Sequence, residues 1–136
     1  NAAGRIGWGA LGDRLAAGPL LAANLGLWTV LLGTASYWTA SAWGLPFFAA
    51  LAGVLYGGVL VIHPAVVAGR WGARQFMRAY GWLCAAHVIA AWAPSIAGWV
   101  YDQTGAFQRA FVALAVFSGA SAVMAWHRRA LLQAAP

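Results

Sequence analysis

Carboxylates are nearly absent from this chain: among 136 residues only Asp13 and Asp102 are acidic, and lysine does not occur. That scarcity removes the usual general acid–base pair. A Ser-His-Asp set, a phosphate-binding glycine loop and a cluster with metal-ligand spacing are missing as well. No enzyme activity, cofactor or metal is therefore expected. Cysteine occurs once, at Cys84, which excludes an internal disulfide. Charged residues amount to 7% of the chain, where an ordinary soluble domain carries about 25%. A soluble domain of this size still exposes about a third of its unfolded surface, so lipid suits this composition better than water. The formal net charge of +6 comes from arginine alone. These arginines sit between apolar blocks and not along a polar stripe, so nucleic acid is not an expected partner. Membrane loops show that pattern.

What the chain does have is apolar length. Hydrophobic residues make up 63% of it, and its mean hydropathy is +0.73. A spanning helix needs about 20 largely apolar residues. Four blocks meet that need, at 19–39, 45–68, 79–101 and 106–126, and a shorter piece at 2–12 reads as the end of an earlier helix. Gly18-Pro19 marks a helix start, while 41–46 and Asp102 to Gly105 read as tight turns. The blocks lack the polar face that a soluble bundle helix would carry. The fold class expected is an all-α, polytopic transmembrane helix bundle forming one partial membrane domain over 1–136. Asn1 already reads as helix interior, so the chain is expected to be a fragment.

Loop charge orients the bundle. Arg14 lies in the first connection, Arg70, Arg74 and Arg78 in the third, and Arg128 and Arg129 near the end; the other connections hold Arg109 alone. The bias predicts that 13–18, 70–78 and the C-terminus are cytoplasmic, in what would be a bacterial inner (plasma) membrane. Trp38, Trp43, Trp99 and Tyr101 then mark the outer interface, and Trp71 and Trp126 the inner one.

Depth singles out three ionisable groups. Counted from Arg14 and Arg78, Arg5 and His87 are each nine residues deeper, roughly 13 Å, near the middle of a hydrocarbon core about 30 Å thick. His63, seven residues before Arg70, lies roughly 10 Å deep by the same count. An arginine at that level costs about 2.5–3.5 kcal/mol to insert, so it normally faces a cavity or a partner. Arg5 is the candidate for an anionic substrate group, since guanidinium matches a carboxylate fork; a structural ion pair or snorkelling is the competing reading. His87 is either a substrate donor or proton carrier, or a neutral interhelical hydrogen bonder. His63 precedes Pro64, which frees a carbonyl on the preceding turn, and it either serves that kink or lines the site. Tyr56 is a further lining candidate. Cys84 and His87 share a helix face, yet two ligands do not make a metal site. Gly53 and Gly57 form a GxxxG packing element.

Three segments together resemble the major facilitator superfamily. Gly4 to Arg14, with Gly9, Leu11, Asp13 and Arg14, is similar to the G-x-L-x-D-R motif between helices 8 and 9. Gly58 to Gly81, with Pro64, Gly72 and Tyr80-Gly81, is similar to helix 10, its loop and the start of helix 11. Ala93 to Phe107, containing Pro94, Gly98, Asp102 and Gly105, resembles the G-P-x-x-x-G-x-x-x-D-x-T-G-x-[FY] run that closes helix 11. That last run points to the branch holding monocarboxylate transporters and oxalate:formate antiporters. Two departures stand out: Asp13-Arg14 is followed by Leu-Ala-Ala-Gly and not by glycine and further basic residues, and Ala93 replaces the first glycine of Gly-Pro.

The resemblance implies the C-terminal half of such a fold, from the end of helix 8 to helix 12. Its partners would be the lipid bilayer, the missing N-terminal half and a small anionic substrate. Arg5 falls where that branch places a carboxylate-binding arginine, and His87 where oxalate:formate antiporters place a lysine. Asp13 and Arg14 would belong to the conformational motif, and Pro64, Pro94 and Gly98 to helix packing. Secondary active transport of a mono- or dicarboxylate by alternating access, with proton coupling as an option, is the function implied. The alternatives are an exporter of another small solute or drug, an independent four-helix membrane protein with a structural or efflux role, and a transporter-like sensor.

Overall fold

Helix boundaries follow the punctuation of the sequence. In the computed structural model, which describes residues 1–129, the elements are α1 (Ala2–Gly12), α2 (Ala17–Gly33), α3 (Ala35–Thr39), α4 (Gly44–Ala90), α5 (Ala93–Thr104) and α6 (Gln108–His127). The expected cytoplasmic C-terminus beyond Arg129 lies outside the described residues. Pro19 sits in the first turn of α2, where its missing N–H costs nothing. Thr34 separates α2 from α3, so the block read as one helix over 19–39 is bent. Its hydroxyl donates to the Val30 carbonyl (2.7 Å) and accepts from Trp38 Nε1 (3.1 Å). Such back-bonding bends helices.

Two further breaks shape the second half. The connection expected over 70–78 is helical except at Gly72, whose φ of 64° and ψ of 173° lie in a region open essentially to glycine. Gly72 therefore divides α4 into two legs, Gly44 to Trp71 and Ala73 to Ala90, and the second runs back beside the first. Ala91 and Trp92 then form a turn, Pro94 opens α5, and Gly105 closes it in a left-handed conformation (φ 69°). Tyr101 and Phe107 stack across that cap with centroids 4.5 Å apart. The block expected over 79–101 is accordingly interrupted.

Packing centres on α2. It lies antiparallel to α6: Gly18 abuts the Arg129 backbone, Thr29 faces Gly119, and Ser118 Oγ donates to the Leu25 carbonyl at 2.9 Å. Its other side meets the first leg of α4, and Trp8, Leu20, Leu31, Leu55, Ile62 and Val66 form the core. The second leg of α4 and α5 contain no buried residue. Their apolar side chains point outward instead, with Trp82 74% and Ile89 76% exposed. The segment Gly44–Thr104 and the helix Gln108–His127 are long and apolar enough to cross a membrane, and α2 is a shorter apolar helix. Helices that satisfy their own backbone and turn apolar side chains outward suit a lipid solvent. The chain is an all-α membrane helix bundle.

Candidate substrate site beside the α1–α4 crossing

Glycines set the distance between α1 and α4. A Cβ added at Gly4 would run into the Val54 backbone, and one at Gly57 would lie 2.6 Å from the Asn1 carbonyl oxygen and 2.7 Å from the Arg5 nitrogen. Gly58 receives the Trp8 ring, and Gly9 faces Val61. The contacts advance together along both helices, so α1 runs parallel to the first leg of α4. Such close approach is what small residues permit in membrane helices. Gly53 is less tightly held: the nearest atom to an added Cβ there is the Asn1 nitrogen at 3.5 Å. At Gly98 an added Cβ meets nothing within 4 Å among the described residues.

This crossing fixes where Arg5 stands. Its backbone abuts Gly57, while its side chain is exposed and donates from Nε to Asn1 Oδ1 at 3.0 Å. Tyr56 neighbours Gly57 and is 47% exposed. Tyr56 and His63 are seven residues apart, two turns, and so share one face of α4. Facing His63 from the second leg is His87, with ring centroids 6.2 Å apart and planes at 68°. The two histidines are thus brought together. Arg5 is not level with them: Gly57 is six residues from His63, about 9 Å along the axis. The single layer expected from counting depth is a staggered one.

Hydrogen bonding distinguishes the histidines. His87 Nδ1 donates to the Leu83 carbonyl at 2.9 Å, which assigns the proton to Nδ1 and leaves Nε2 as an acceptor. His63 Nδ1 is buried and has no partner among the described residues, so it does not bond the carbonyl that Pro64 frees. A guanidinium whose terminal nitrogens have no partner among the described residues can hold a carboxylate, and an imidazole with an open acceptor can handle a proton.

The loop motif forms the end of α1. Asp13 and Arg14 are exposed in the turn that follows it, with the Asp13 N–H donating to the Gly9 carbonyl (3.0 Å) and the Arg14 N–H to that of Leu11 (3.1 Å). An apolar groove of about 660 Å³ lies between α1, α2 and α4, lined by Trp8, Leu11, Leu31, Trp38 and Val54 among others. Arg5, Tyr56, His63 and His87 do not line it.

Sequence reasoning passed over Asn24, which is fully buried in α2. Its Nδ2 donates to the Leu55 carbonyl on α4 at 3.1 Å, and its Oδ1 has no partner among the described residues. A lone asparagine in the apolar block 19–39 is the signal that marks it.

No family model matches the chain, and no solved structure matches it. One curated protein is similar: "Probable transporter MCH1" of Saccharomyces cerevisiae, 41% identical over 51 residues, or 38% of this chain. The chain spans about a tenth of that relative's length, the aligned part being 10% of it.

Proposed function

We propose that the chain is part of a secondary active transporter of the major facilitator type, in which α1 is the end of helix 8 and α6 is helix 12. In this reading the cargo is a small organic anion, a mono- or dicarboxylate, moved by alternating access between two halves of the protein. The local likeness to a yeast protein described as a transporter supports transport in general. The observation that carries the anionic cargo is Arg5: an exposed guanidinium in an apolar bundle, its backbone pinned against Gly57 and its side chain held, among the described residues, through Nε alone. That leaves its terminal nitrogens for a carboxylate fork. His87, with His63 and Tyr56 on the adjoining face, would complete this side of the cavity and supply the proton-handling group. Asp13 and Arg14 would act on the cytoplasmic side in the change of conformation.

Uptake of a panel of radiolabelled carboxylates into vesicles holding the intact protein tests the reading, with and without a pH gradient. Arg5→Gln and Arg5→Lys should each abolish anion uptake while insertion and folding are retained. Undiminished uptake by Arg5→Gln, or cargo without a carboxylate, would remove the anion assignment.

A further inference from the structure

A second groove lies where the start of α2, the end of the first leg of α4 and the end of α6 meet. It measures about 460 Å³ and takes its walls from Leu21, Leu25, Met124 and Ala125, with Arg70 and Arg128 on its rim. The groove shares no residue with the proposed substrate site. Its two ends differ in chemistry. Arg70 and Arg128 are exposed beside Trp71, and Arg129 stacks on Trp126 at 4.2 Å at the same end of α6. Ser121 stands seven residues back along α6, about 10 Å away, and the surface between is apolar. No acid lies on α2, α4 or α6, so the rim arginines have no carboxylate on the elements that form the groove.

We propose that this groove holds an anionic phospholipid, its phosphate between Arg70 and Arg128 and the upper part of an acyl chain against Leu21, Leu25 and Met124. Guanidinium groups pair with phosphate oxygens in a fixed geometry, and tryptophan favours the headgroup level at which Trp71 would then lie. Basic pockets between membrane helices suit anionic lipid headgroups. A soluble anion would use the arginines and leave the apolar wall bare. A zwitterionic lipid would set its ammonium against one of the two arginines. The lipid with net negative charge uses both parts of the groove.

The intact protein, delipidated in a neutral detergent, is titrated separately with dioleoyl phosphatidylglycerol, dioleoyl phosphatidylcholine and inorganic phosphate. Bound lipid is counted by native mass spectrometry. Phosphatidylglycerol should be retained in preference to phosphatidylcholine, and R70Q/R128Q should weaken its binding about thirtyfold, the sum of two surface arginines. R109Q, at the other end of α6, should leave binding unchanged. Equal retention of both lipids overturns the proposal, as does full phosphatidylglycerol affinity in R70Q/R128Q. Competition by millimolar inorganic phosphate assigns the rim to a soluble anion and overturns it too. If R70Q/R128Q does not fold, S121W blocks the apolar wall while leaving the arginines in place. Lipid retained by S121W at wild-type affinity overturns the proposal equally.

Discussion

The imidazoles of His63 and His87 meet edge to face across the two legs of α4, 6.2 Å apart. They lie nine residues before and fifteen after Gly72, so the reversal at one glycine makes the pair. Among the described residues only His87 of the two is anchored, through Nδ1 to the Leu83 carbonyl. Its Nε2 is the atom left to accept a proton or a substrate hydrogen bond.

His87→Gln therefore separates the proposed proton role from a packing role. Glutamine fills similar space and puts its amide where Nε2 stands, but has no proton to exchange. Uptake by the His87→Gln protein should vary less than about twofold across the pH range in which uptake by the unaltered protein changes. A profile as steep as that of the unaltered protein would exclude His87 as the coupling group.

His63 behaves differently. Its Nδ1 is buried without a partner among the described residues, and an unsatisfied buried polar atom costs about 1–3 kcal/mol. His63→Leu removes that atom and keeps most of the bulk against Pro64 and the second leg. The variant should unfold in detergent at the same denaturant midpoint or a higher one. A loss of more than about 1 kcal/mol would mean that the imidazole makes a stabilising bond.

The α1–α4 crossing gives a sharper contrast. Gly57→Val puts a branched side chain where even a Cβ lies 2.6 Å from the Asn1 carbonyl, and the obstacle is backbone that cannot rotate away. Overpacking of this kind typically costs about 1–3 kcal/mol, occasionally more, and it would push Arg5 out of register with α4. Gly98→Val has open space among the described residues and should cost well under about 1 kcal/mol beyond helix propensity. Folded yield and thermal midpoint of the two variants, measured side by side, check the difference.

The bundle was legible in the sequence because lipid demands long apolar runs, and such runs need no knowledge of tertiary contacts. Boundaries inside those runs were not. Thr34 is apolar enough in context to hide in a block, and its helix-bending bond to Val30 depends on a rotamer. The arginine-bearing stretch 70–78 reads as a loop by charge, yet arginine is a good helix former, and a single glycine suffices to reverse the chain. For the site, residue types and depth picked out Arg5, His63 and His87. Counting from assumed interfaces could not reveal that α1 meets α4 at Gly57, which staggers Arg5 from the histidines. Asn24 carries no charge and so does not stand out in an apolar block; its worth lies in a bond to a carbonyl on another helix.

Gly72 carries the last and most general prediction. Its φ of 64° with ψ of 173° is a conformation that costs other residues about 1–3 kcal/mol, although an added Cβ would find nothing within 4 Å among the described residues. Any penalty for Gly72→Ala is thus backbone strain and not a clash. The strain can be relieved by letting the second leg of α4 swing, because that leg buries no side chain and little opposes the movement. Gly72→Ala should then lower stability by less than Gly57→Val while widening the distance between the legs. Spin labels at Val61 and Val88 on a cysteine-free background would report the widening by double electron–electron resonance. An unchanged distance together with a stability loss of about 1–3 kcal/mol would show that the reversal is held by contacts beyond Gly72 itself.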